Sequence, residues 1–294
     1  MNAPATLPFV KMNGLGNEIV IVDLRGSSKV FTSAEVVAIA AGGRTHFDQM
    51  MVLHAPRTKG TEAYVRIYNA DGTEAGACGN GMRCVGWFMA QHMDNGLGRP
   101  KFKVETLAGV LDIDASGGTV VTVDMGEPKF GWQDIPLAEE ISDTRGIELQ
   151  IGPIDAPVLH TPSVVNVGNP HAVFWVDDVN AHDLGRFGPM LENHPIFPER
   201  ANISLAHVTA RNAVTVRTWE RGAGLTLACG SAACAAAVSA ARKKFTDRKV
   251  TVTLPGGTLS VEWTDANRIL MTGPVEFEYD GVLDLHQLAK APGS

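Results

Sequence analysis

With 294 residues, 45% hydrophobic and 19% charged, the chain is too long for one small core and far from a disordered composition. A formal charge of −7 argues against nucleic acid or an anionic membrane as the main partner. No stretch approaches the ~18 apolar residues of a membrane span, residues 1–14 do not read as a signal peptide, and four scattered cysteines suit a reducing cytoplasm.

In chain order, Gly16-Asn17 leads into the apolar run Ile19–Val22, and Tyr64–Tyr68 is the first clear strand, rich in β-branched and aromatic residues. A helix is predicted from Asn80 to about Met93, stopped by Asn95-Gly96. Strands follow at Phe102–Thr106, Leu111–Ile113 and Val120–Met125, punctuated by Ser116-Gly117-Gly118. Residues 129–157, with Pro136, Pro153 and Pro157, read as an irregular connection. Beyond it come a strand at Val214–Thr218, a helix from Ser231 to about Phe245, and strands at Val250–Leu254, Leu259–Trp263 and Ile269–Thr272. Both helices are apolar or small nearly all round, which marks them as buried.

The chain repeats itself at about half its length. Val65-Arg66-Ile67-Tyr68-Asn69 matches Val216-Arg217-Thr218-Trp219-Glu220, and each arginine stands 12 residues before an Ala-Cys-Gly cysteine, Cys78 or Cys229. Gly16-Asn17 matches Gly168-Asn169, and Leu107-Ala108-Gly109 matches Leu254-Pro255-Gly256. Ordered matches at nearly constant offset imply two large units, not a short-period solenoid. The sequence thus predicts an α/β (α+β) fold of two pseudo-symmetric domains, each a curved, mostly antiparallel sheet wrapped around a central helix. The domains are residues 1–130, with 275–294 returning to them, and 131–274; the active site is expected in the cleft between them.

Asn80 and Ser231 are good N-cap types, so each repeated cysteine is expected just before a first helical turn. Free backbone N–H groups and the helix dipole there favour anions, both a cysteine thiolate and a docked substrate carboxylate. Gly79 and Gly230 allow close approach to the backbone. Two acid/base groups on opposite faces of one Cα are what a cofactor-independent racemisation needs. One such cysteine alone would read as a core residue; a matched pair at helix starts reads as chemistry. Cys84 and Cys234, five or six residues further on, point elsewhere on the helix and read as packing. No zinc spacing, P-loop or complete dinucleotide loop occurs. His171 lies beside Asn169 and is a candidate partner of a cysteine. Glu220 occupies the repeat position of Asn69, and both strand ends are expected to face the cleft.

These residues resemble the diaminopimelate epimerases. The resemblance is carried by Lys11–Asn17, Tyr68–Glu74, Cys78–Cys84 and Gly168–Ala172, and by Arg217–Gly224 with Ala228–Ser231. It implies interconversion of LL- and meso-diaminopimelate without metal or other cofactor. Cys78 and Cys229 would be proton donor and acceptor, assisted by His171 and Glu220. Asn17, Gln49, Asn69, Asn169, Asn202, Glu220 and Arg221 would contact the amino-acid substrate, and Gly79, Asn80, Gly230 and Ser231 would cradle its α-carboxylate. A cytoplasmic homodimer is the family pattern. The alternatives are a sibling proline or hydroxyproline racemase, a non-catalytic amino-acid binding protein, and a redox sensor using the two thiols, which predicts no turnover and a stable disulfide. The sibling leaves Glu220-Arg221 without a distal head to bind; the binding protein leaves two thiols without a purpose.

Overall fold

The structure, a computed structural model, describes residues 6–92 and 100–284. Met93, the Asn95-Gly96 stop and residues 285–294 of the returning tail lie outside the described residues. The fold is mixed α/β with far more strand than helix, and the chain divides into two compact units: Met1–Val123 with Gly273–Ser294, and Asp124–Thr272.

The first unit begins with β1 (Thr6–Asn13), β2 (Glu18–Asp23), α1 (Ser33–Ala40), β3 (Gln49–His54), β4 (Ala63–Asn69) and β5 (Glu74–Ala75). Then come α2 (Gly79–His92), β6 (Lys101–Thr106), β7 (Gly109–Gly117) and β8 (Val120–Asp124). β2 runs parallel to β3, β3 antiparallel to β4, and β4 parallel to β6, which opens the β6–β7–β8 meander. The four central residues of β2 and of β3 are all buried, because both faces of these strands are covered. On one face Val20, Val22, Met50, Val52 and Tyr68 pack with Val36 and Ile39 of α1. On the other lies α2. A Cβ at Gly81 would overlap Met51, and one at Gly86 would come within 2.7 Å of Ile113 Cγ2, so these two glycines let the helix close on the sheet.

The second unit contains β9 (Gln150–Ile151), β10 (Leu159–His160), β11 (Ser163–Asn166), β12 (Pro170–Trp175), α3 (Leu184–Glu192) and β13 (Asn202–Ala210). It continues with β14 (Ala213–Glu220), β15 (Gly224–Leu225), α4 (Gly230–Arg242), β16 (Lys249–Leu254), β17 (Gly257–Trp263) and β18 (Ile269–Pro274). Its pairing repeats that of the first unit: β12 parallel to β13, β13 antiparallel to β14, β14 parallel to β16, then a meander. The chain then returns to the first unit, where β19 (Glu276–Asp284) pairs antiparallel with β1, Thr6 opposite Asp284.

Three expectations need correction. Residues 129–157 are more than a connection, since Ile135, Leu137, Ile147 and Leu149 are buried with Phe174, Ile203 and Leu205 as a covering layer. Among the described residues there are two helices beyond the predicted pair. The first, α1, starts at a capping box in which Thr32 Oγ1 accepts from Glu35 N and the Glu35 carboxylate accepts from Thr32 N. The second, α3, is capped by Asp183 and contains Gly185, Gly188 and Pro189, a poor intrinsic helix held by Leu184 and Leu191 in the core. Lastly, α4 stops at Arg242, three residues before Phe245, with Lys243 as its C-cap.

Candidate active site

Each Ala-Cys-Gly cysteine is the residue from which its buried helix starts. The Cys78 carbonyl accepts from Met82 N at 2.9 Å, and the Cys229 carbonyl from Ala233 N at 3.1 Å. Cys229 is itself the N-cap, with extended backbone at φ −116° and ψ 108°. Asn80 and Ser231 are therefore not caps but members of the first turn, because the cysteine backbone already makes the first helical bond. Gly79 and Gly230, both buried, are the first helical residues.

In the first unit Cys78 is half-buried, and its Sγ accepts from Gly81 N at 3.2 Å. Gln49 and Asn69 are directly opposite across β3 and β4, with Gln49 Nε2 donating to Asn69 Oδ1 at 3.3 Å. Asn17 closes the turn between β1 and β2 by accepting from Gly14 N, and Gln49 pairs with Ile19 two residues later. Asn17 Oδ1 and Gln49 Oε1 are buried with no hydrogen-bond partner among the described residues. Two buried acceptors left over in this way suit an ammonium donor, since each is costly unless paired. Asn80 is buried, and its Oδ1 accepts from Arg83 Nη1 at 2.9 Å, so its side chain stitches the helix start.

The second unit gathers more of the expected residues. His171 is fully buried, with Nε2 2.8 Å from Asn169 Oδ1. Its register partner Asn202 has both amide ends committed, Nδ2 donating to Pro170 O and Oδ1 accepting from Arg221 N at 3.0 Å each. Asn202 thus holds the Arg221 backbone. Arg221 Nη1 donates to Glu199 O. Glu220 ends β14, and its Oε1 accepts from Thr226 Oγ1 at 2.6 Å. Cys229 is 4% exposed, lies beside the Glu220 carboxylate, and has its Sγ 3.4 Å from Ser231 Oγ.

Burial governs the protonation states. It pushes the Cys229 thiol well above the ordinary range, and the Glu220 carboxylate adds to that; the Ser231 hydroxyl and Ala232 N–H only partly offset it. The expected preference for thiolate is therefore reversed at Cys229: desolvation outweighs the helix start. Glu220 is raised by burial and lowered by its bonds to Thr226 and Cys229. His171 is pushed down to about 3, first by burial and then by the Arg221 charge, and so is neutral. Cys84 is buried and pushed up to about 12, in keeping with a packing role.

Thr226 carried no sequence signal, being defined only by what it touches across a turn. Glu192 and Trp219 were likewise missed as parts of this region. Glu192 is 5% exposed, its Oε2 accepting from Trp219 Nε1 and its Oε1 from Gly222 N.

The chain matches the family model described as diaminopimelate epimerase over residues 9–131 and 163–278. It is 65% identical over 280 residues to a diaminopimelate epimerase of Rhodopseudomonas palustris TIE-1, covering 94% of this chain and 93% of the relative. It is 62% identical over 286 residues to that of Afipia carboxidovorans, covering 97% of each. Among solved structures it shares its fold with a hydroxyproline epimerase from Agrobacterium vitis that holds trans-4-hydroxy-L-proline. The TM-score is 0.67 and the identity 14%, over 97% of this chain and 94% of that one. Among the described residues, no helix is long and apolar enough to cross a membrane.

Proposed function

This chain belongs to the diaminopimelate epimerase family, and from that membership we propose that it interconverts LL- and meso-diaminopimelate by two-base proton transfer at one α-carbon. The observation that carries the mechanism is the matched pair of thiols, each at the residue from which a buried helix starts. One sulfur, as thiolate, takes the Cα proton into a new S–H bond, and the C–H electron pair passes into the α-carboxylate. The other thiol then gives up its S–H proton to the opposite face of Cα. The two cysteines exchange roles in the reverse direction, so atoms and charge balance without an oxidant or cofactor.

Cys229 starts as the thiol, as its burial favours, and Glu220 receives its proton when the sulfur must act as base. Backbone N–H groups around Gly79, Asn80, Gly230 and Ser231 stabilise the charge growing on the α-carboxylate. Arg221 suits the distal carboxylate, since a guanidinium holds one with two parallel bonds. Asn17, Gln49, Asn69 and Asn169 meet the remaining polar groups, with the unpaired Asn17 and Gln49 oxygens supporting an ammonium contact. Neutral His171, oriented by Asn169, assists a thiol. Two cysteines that must cycle as thiols support a reducing cytoplasm. Exposed Phe277 and Val282 on β19 support a homodimer.

Incubation with LL-diaminopimelate in D₂O tests the reading. One α-carbon gains solvent deuterium as meso product forms, and neither a chelator nor pyridoxal phosphate alters the rate. Cys78→Ala and Cys229→Ala each abolish interconversion. Full activity in either variant, or faster turnover of proline than of diaminopimelate, refutes it.

A further inference from the structure

The residues that flank Glu220-Arg221 on both sides end on one buried carboxylate. Glu192, the last residue of α3, has a side chain only 6% exposed. Its Oε2 accepts from Trp219 Nε1 at 2.6 Å; its Oε1 accepts from Gly222 N at 2.9 Å and from Arg200 Nη1 at 3.2 Å. Trp219 and Gly222 are the immediate neighbours of the pair, so one rigid group fixes the chain before and after it. The helix is shaped for this. A Cβ at Gly188 would overlap the Trp219 ring, so the indole lies directly on α3. Gly222 adopts φ +78°, the left-handed turn that lets its N–H point back at the carboxylate.

We propose that Glu192 is a positioning residue for substrate specificity, setting where the Arg221 guanidinium and the Glu220 carboxylate stand; the inference rests on the epimerase reading above. The geometry requires a carboxylate. Three donors converge on two acceptor oxygens, and the Arg200 charge balances the buried negative group. Glutamine offers one acceptor and turns its NH₂ toward a donor, so one arm of the clasp opens. The corresponding turn of the first unit is held differently, by Asp71 accepting from Thr73 N and by Gly72 packed on Ser33. A clasp of this kind thus belongs to the half that carries the guanidinium.

The test compares wild type, Glu192→Gln, Glu192→Asp, Trp219→Phe and the Glu192→Gln/Trp219→Phe double variant. Losing a hydrogen bond to a charged group corresponds to about tenfold or more in an equilibrium. Glu192→Gln is therefore expected to raise KM for diaminopimelate about tenfold in folded protein. The oxygen left facing Gly222 is now a neutral, weaker acceptor, so Gly222 amide exchange speeds, and the Trp219 indole N–H resonance moves; neither readout needs substrate. Trp219→Phe removes the donor that the glutamine NH₂ would face, so the double variant recovers part of the KM loss. Should Glu192→Gln not fold, Glu192→Asp, with its carboxylate set back by one methylene, must show the same KM rise and Gly222 exchange. Unchanged KM and Gly222 exchange in a folded variant would overturn the proposal. A wild type that exchanges no α-proton refutes the epimerase reading instead, leaving the exchange and indole readouts to judge the clasp.

Discussion

Thr226→Val isolates the electrostatics of the second thiol's partner. Thr226 Oγ1 donates to Glu220 Oε1 at 2.6 Å, and this bond holds the carboxyl down against the burial that raises it. A hydrogen bond to a charged group contributes about 1.5–3 kcal/mol, which at ~1.36 kcal/mol per pKa unit is roughly one to two units. Without that bond the burial that raises Glu220 is less opposed, so its pKa moves further above the ordinary carboxylate range. On the proposed mechanism Glu220 must be ionised to take the Cys229 proton. The acidic limb of the pH profile of kcat/KM, followed by α-proton exchange, therefore moves to higher pH in Thr226→Val, on the order of the loss of that one hydrogen bond. Thr226→Ser keeps the hydroxyl and stays near wild type. An unmoved or lowered limb in folded Thr226→Val would refute the assignment of Glu220 as the partner of Cys229.

Other outcomes follow from burial and packing. Unfolded histidine gains a proton near pH 6.5, whereas folded His171 stays neutral down to about 3. Its contribution to stability is thus present above pH 6.5 and lost as pH falls, by about 2 kcal/mol at pH 5; denaturant unfolding of His171→Gln should lack that slope. Brief alkylation of native protein, read by mass spectrometry, should modify half-buried Cys78 while Cys84, fully buried and pushed up to about 12, stays intact. Gly81→Ala forces a methyl into Met51 and toward Cys78 Sγ, 3.3 Å away. It should cost about 1–3 kcal/mol by denaturant titration and lower activity; unchanged stability would place the α2 start elsewhere.

The thiols, the two buried helices and the strands around them were legible because each rests on local pattern: a repeated motif, all-round apolarity, β-branched runs. The helix α3 was not, since Gly185, Gly188 and Pro189 argue against a helix and only contact with Trp219 and the core explains it. The capping box at Thr32 and Glu35 was legible in principle, but it opens an eight-residue helix too short to show periodicity. The resemblance implies a substrate contact for Asn202, and only the structure shows that its amide also bonds Pro170 O and Arg221 N. The thiol state at Cys229 was invisible for a general reason. Sequence gives the helix start, which favours thiolate, but not the 4% exposure and the neighbouring Glu220, which oppose it.

That opposition explains why the repeat is imperfect where it matters. A strict duplication would put the same side chain at the end of β4 and of β14; the chain has Asn69 at one and Glu220 at the other. Asparagine cannot take a proton, and Asn69 spends its amide on Gln49 and Thr73. Both sulfurs have a backbone N–H beside them, but Cys78 is half-buried, whereas Cys229 is nearly sealed and needs a base to become thiolate at all. His171 also belongs to the second unit, yet it is neutral at every pH above about 3 and does not titrate in the working range. Of these two titratable partners only Glu220 changes charge as pH falls toward the carboxyl range. One acidic limb, owned by Glu220 and moved by Thr226, is therefore what a two-thiol site with one carboxylate predicts.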